Sequence, residues 1–95
     1  MGQQLSPLEM ALYRAVDEVL HYVWDPIGVS RAPEARDEYH AYLPHVHGLV
    51  RRGADAAEIA NYLSGVVEYM GLNPAPMRDQ EAASLLLHWK KVIDA

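Results

Sequence analysis

The sequence predicts an all-α fold, a small bundle of four amphipathic helices joined by short loops. Three observations carry that expectation. Apolar residues recur at intervals of three and four along most of the chain, which gathers them on one face of a helix. Start and stop signals cut the chain into four such segments. No run of β-branched residues alternates with polar ones, so no strand is expected.

The first segment opens at Ser6-Pro7-Leu8-Glu9. Ser6 suits the N-cap, Pro7 the first helical position, and Glu9 can complete a capping box. Leu5 and Met10 have hydrophobic-staple spacing. The stripe is Leu8, Leu12, Val16, Val19, Leu20 and Val23. Pro26 is expected to stop this helix, because proline disfavours helical backbone at the residue before it. The second segment starts near Pro33 and carries Tyr39, Tyr42, Leu43, Val46, Leu49 and Val50, with a kink or short break expected at Pro44. Gly53 suits its left-handed end.

The third segment opens with Asp55 as cap and Glu58 three residues on. Its stripe is Ile59, Tyr62, Leu63, Val66, Val67 and Met70. Gly71 and Leu72 suit a Schellman ending. After the stiff loop Asn73-Pro74-Ala75-Pro76, a fourth helix runs from about Met77 to Ile93. Ala82, Leu85, Leu86, Trp89, Val92 and Ile93 form its apolar side.

Ninety-five residues suit a single helical domain spanning residues 1–95. The chain has no cysteine, which leaves no disulfide, thiolate site or cysteine nucleophile. The first ten residues lack the basic and apolar regions of a signal peptide, and no apolar run is long enough to span a membrane. The expected location is the cytoplasm. Thirteen acids against eight Lys and Arg make the chain acidic. Nucleic acid is therefore not an expected partner, since phosphate neutralisation needs a basic face. A basic protein is better suited.

Catalytic signatures are absent. Ser64 stands in YLSGVV, without the first glycine of a nucleophile elbow. No glycine-rich phosphate loop occurs. The pairs Asp17-Glu18 and Asp37-Glu38 are adjacent, so on a helix their side chains diverge by about 100° and make no ready dyad. His40, His45 and His47 invite a metal reading. On one continuous helix His40 and His47 would stand about 10.5 Å apart along the axis, too far to share an ion held about 2 Å from each ligand. They are expected to be exposed, with no metal and no cofactor bound.

The stretch WDPIGV, residues 24–29, admits two readings. In the first it is a packed corner. Trp24 covers the end of the bundle, Asp25 bonds amides ahead of it, Gly28 supplies positive φ, and Ile27 and Val29 plug the core. In the second it is a rigid, partly exposed aromatic knob at an interface.

WDPIGV, the group Asp37-Glu38-Tyr39 and Tyr42 one turn later resemble the YugE-like family of small bacterial helical proteins. Gly53-Ala54-Asp55, Glu58-Ile59-Ala60 and Met70-Gly71-Leu72 extend the likeness, which covers about residues 16–73. The fourth helix and the histidines fall outside it. The resemblance implies a small helical fold, and some members look like immunity proteins encoded beside toxins. It also suggests that Trp24, Asp25, Pro26, Ile27, Gly28, Asp37, Glu38, Tyr39 and Tyr42 act as one unit, with the turn acid accepting a phenolic hydrogen bond. The leading expectation is a non-catalytic interaction module that blocks a cognate toxin. The alternatives are a small-molecule or metal-binding helical protein, and a homodimer packed through Leu85, Leu86, Leu87 and Trp89.

Overall fold

The computed structural model describes residues 5–94. They form an all-helical bundle with no strand among them, as the periodicity predicts. Helix α1 spans Pro7–Glu18 and runs on into a wider π-helical turn at Val19–Trp24. A short 3-10 turn at Pro33–Ala35 leads to α2 at Leu43–Arg51. Helices α3 and α4 follow at Ala56–Tyr69 and Pro76–Asp94. Helix α4 packs against α3, α1, α2 and the π turn, so the core is built around it.

The local end signals act as the sequence indicates. Ser6 accepts from the Glu9 amide at 3.2 Å, and Glu9 accepts from the Ser6 amide at 3.4 Å. Asp55 accepts from the Glu58 amide at 2.9 Å, but the Glu58 side chain pairs with Arg52 instead of reaching back. Gly71 adopts φ 76°, and the Leu72 amide reaches the Val67 carbonyl at 3.1 Å, the six-to-one bond of a Schellman ending.

The second segment is not one helix. From Ala32 to Leu43 the backbone bonds, among them those of Ala35, Arg36, Glu38, His40 and Tyr42, run to the third residue back. Pro44 has no amide hydrogen to give to the His40 carbonyl, which accepts from the Leu43 amide at 3.3 Å. The α-helix therefore starts at Leu43, with Pro44 in its first turn, where the missing donor costs nothing.

The end of α1 also differs from expectation. Pro26 does exclude ordinary helix at Asp25, but the termination is made by the π turn. The Asp25 amide bonds to the Leu20 carbonyl five residues back, and Asp25 takes a left-handed conformation at φ 31°. Widening the last turn brings Leu20, His21 and Trp24 to the buried side together, while Val23 is only partly covered.

Several stripe residues lie outside the core: Leu8, Trp89 and Val92 are exposed, as is Met10 of the expected staple. Leu8 and Trp89 border shallow surface pockets, with Arg51 and Lys90 beside Leu8, and Val19 and Tyr22 beside Trp89. Leu12, Val16, Leu20, Ile59, Leu63, Val67, Ala82 and Leu86 form the centre of the core.

Candidate functional site

The corner after α1 is built around one carboxylate. Asp25 Oδ1 accepts from the amides of Gly28 and Val29 at 3.0 and 2.8 Å, and Oδ2 from the amide of Ser30 at 2.9 Å. The Tyr39 hydroxyl donates to Asp25 Oδ1 at 2.6 Å and accepts from the Ile27 amide at 3.0 Å. An Asx-type turn folds residues 25–30, and Tyr39 ties that turn to the segment before α2. Burial by itself raises the Asp25 pKa. The bonds from Tyr39, Val29 and Ser30 outweigh it and hold the carboxyl below its ordinary range. Burial and the adjacent Asp25 carboxylate push the Tyr39 phenol well above its usual value.

Both sequence readings of WDPIGV need correction. Trp24 is fully buried, so it is no exposed knob. Ile27 is 44% exposed and plugs nothing; only Val29 packs against the core. Gly28 does adopt positive φ, at 84°. Pro26 is half-buried. Tyr39 is buried at the centre of the corner, its ring 5.3 Å from that of Trp24. Tyr42 is half-buried, edge-on to Trp24. Asp37 and Glu38 point to solvent, and neither forms an ion pair among the described residues. Hydrogen bonds and ring contacts join Trp24, Asp25, Ile27, Gly28, Tyr39 and Tyr42. Trp24, Asp25 and Tyr39 hold the corner, while Asp37 and Glu38 face outward.

What fixes Trp24 was not legible in the motif. Its indole Nε1 donates to Asp79 Oδ1 at 2.9 Å, and Ser64 donates its hydroxyl hydrogen to Asp79 Oδ2 at 2.7 Å. Asp79 is 1% exposed. It therefore joins the end of α1, the middle of α3 and the first turns of α4 through one buried group. The signal was available: Asp79 lies three residues before Ala82 and seven before Leu86, on the apolar side of α4.

A second polar cluster braces the outer side of the corner. Arg36 makes a two-pronged pair with Asp17 at 2.9 and 3.0 Å, and His40 Nε2 lies 3.2 Å from the same carboxylate. The Arg36 guanidinium also sits 5.3 Å over the ring of Tyr22. Asp17 is thus a structural ion-pair partner and not part of a bare solvated face.

The histidines separate. His40 braces Asp17, and His45 stacks on Tyr62 with centroids 4.2 Å apart. His47 is buried, contrary to expectation, because α2 starts late and turns that residue toward α1, where Tyr13 meets it edge-on at 5.0 Å. Among the described residues no three His, Asp or Glu side chains gather closely enough to hold one ion. Burial pushes the His47 pKa below its ordinary value, Arg51 adds to the shift, and Glu9 opposes it. The unfolded chain therefore takes up this proton at a higher pH than the native state. Stability is expected to fall as pH drops below about 6.5 and to go on falling until the native pKa is passed. His47→Gln should flatten that part of the curve. Melting temperatures of both chains across about pH 5 to 7.5 check this, and parallel curves would refute it.

The Tyr42 side of the corner borders an open groove against α3, lined by Ala41, Tyr42, Tyr62, Gly65, Val66 and Tyr69. No helix of the described residues is long and apolar enough to cross a membrane. No family model, curated protein or solved structure matches the chain.

Proposed function

We propose that the protein is a non-catalytic interaction module, most concretely an immunity- or antitoxin-like protein that binds a basic partner and covers its active surface. The observation that supports this reading most is the rigid mounting of Asp37 and Glu38. Tyr39, between Glu38 and His40 in the chain, is anchored in the corner by Asp25, and Arg36 is anchored on Asp17. The two exposed acids are therefore held on a fixed segment. Preorganised charge loses little conformational freedom on binding and speeds encounter with an opposite charge. The likeness of residues 16–73 to the YugE-like family, with its immunity-like members, agrees with a small binding protein. A cytoplasmic setting fits the absence of cysteine.

Charge reversal tests the face. Asp37→Lys/Glu38→Lys should weaken capture of a basic partner from host lysate by about tenfold or more, with helicity and melting unchanged. Both side chains are exposed, so the fold does not depend on them. Capture of the same partner at undiminished strength would remove this face from the proposal.

A further inference from the structure

The open groove beside Tyr42 has a volume of about 630 Å³. It is lined by Asn61, Tyr62, Gly65, Val66 and Tyr69 of α3, with Ala41 and Tyr42 of the segment before α2. Gly65 lies in mid-helix, where glycine destabilises relative to alanine. A Cβ placed there would meet nothing within 4 Å, so packing does not call for a glycine. A larger side chain would take up open space in the groove.

The lining offers aromatic faces. Tyr69 is 84% exposed. Tyrosine faces in this molecule already hold flat nitrogenous groups: Arg36 lies over Tyr22, and His45 stacks on one face of Tyr62 itself. The charged residues nearest the lining residues along the chain are acids. None of the lining residues named above is charged. Glu38 lies three residues before Ala41 in the same run of turns. Glu68 lies three residues after Gly65 on α3, on the same side of the helix. Both acids are exposed and outside every ion pair among the described residues.

We propose that this groove docks an arginine-bearing segment of a protein partner, with a guanidinium stacked on the tyrosines and Glu38 and Glu68 supplying the opposite charge. The proposal rests on the interaction-module reading and names the chemistry its partner presents. Arginine fits better than lysine because its guanidinium is planar, weakly hydrated and stacks on aromatic rings. A segment of a macromolecule fits better than a small cation because the groove lies open to solvent, whereas small-ligand sites enclose most of their ligand.

The test uses the full chain and a fluorescein-labelled peptide of Arg-Ala-Leu-Ala repeats, with lysine and glutamate versions, followed by anisotropy. The arginine peptide should bind, the lysine peptide several-fold more weakly, and the glutamate peptide not at all. Tyr69→Ala and Gly65→Leu should each weaken the arginine peptide about tenfold. Gly65→Ala, which leaves the groove open and suits the helix, should bind within about twofold of the parent and melt higher. Matched circular dichroism and melting for Tyr69→Ala, whose side chain is almost wholly in solvent, keep the result independent of folding. No arginine-peptide binding at about 1 mM, equal binding of arginine and glutamate peptides, or undiminished binding by both Tyr69→Ala and Gly65→Leu would overturn the groove. The two readings fail separately. A partner lost on reversal of Asp37 and Glu38 but kept by Gly65→Leu leaves the module standing without the groove. A partner indifferent to every one of these changes removes both.

Discussion

Asp79→Ala is expected to destabilise the protein by about 3–4 kcal/mol. The substitution strands the Trp24 indole N–H in the core, frees the Ser64 hydroxyl, and leaves a small void. A buried donor without a partner costs about 1–3 kcal/mol, which makes the indole the largest contribution. For a domain of this size each kcal/mol moves Tm by about 4–8 °C, so a fall of about 15–25 °C is anticipated. Asp79→Asn should lose far less, about 1 kcal/mol, because the amide oxygen still accepts from Trp24 and the rotatable Ser64 hydroxyl can accept from the amide nitrogen. Trp24→Phe should fall between them, since the ring volume is partly kept and the carboxyl oxygen loses its donor. Thermal unfolding of the three variants checks the order. Equal melting of the Ala and Asn forms would mean that the three-helix connection is held by packing alone.

Asp25→Ala should cost about 2–4 kcal/mol and also disable the binding face. The alanine removes the acceptor for three amides and for the Tyr39 hydroxyl. The Gly28 bond is exposed and water can replace it, so the Val29, Ser30 and Tyr39 bonds carry most of the loss. Alanine also sits poorly at φ 31°, which adds roughly 1 kcal/mol. Asp25→Gly relieves that strain and should be milder by about the same amount, which separates backbone strain from lost hydrogen bonds. Both variants free Tyr39, and with it the segment bearing Asp37 and Glu38. Partner affinity should therefore drop although no residue of the face has changed. Full stability with normal binding in Asp25→Ala would show that the corner has no part in positioning the acids. The pH dependence follows from the lowered Asp25 pKa. The unfolded carboxyl takes its proton before the native one does, so the stabilisation is present above about pH 3.9 and is lost as pH falls through the native value.

Both expected effects arise from single polar side chains placed among apolar ones. A carboxyl group withdrawn from water is tolerated only where donors surround it. Asp25 meets that condition locally, with amides three to five residues ahead. Asp79 meets it through partners 55 and 15 residues distant. The difference in reach explains why the turn acid could be read from WDPIGV, and its bond to a tyrosine anticipated, while the chain order shows Asp79 only as an acid on the apolar side of α4, without its partners.

The amino-acid sequence by itself determined the helical class, the helix ends at Ser6, Gly53, Asp55 and Gly71, and the Asp25 turn with its left-handed glycine. All of these depend on contacts between residues a few positions apart, which the chain order already specifies. The tertiary structure alone decided that Trp24 is sealed inside, that Ile27 is not, and that α1 widens into a π turn before it ends. It also decided that His47 is buried and that Tyr42, Tyr62 and Tyr69 share one groove. Those outcomes are set by contacts between elements, such as Asp79 of α4 on Trp24 and Tyr13 of α1 on His47, to which spacing along one helix is blind. The outward position of Asp37 and Glu38 belongs to both levels. Their charge comes from the sequence, and their rigid placement comes from the clamps that Asp25 and Asp17 make on either side.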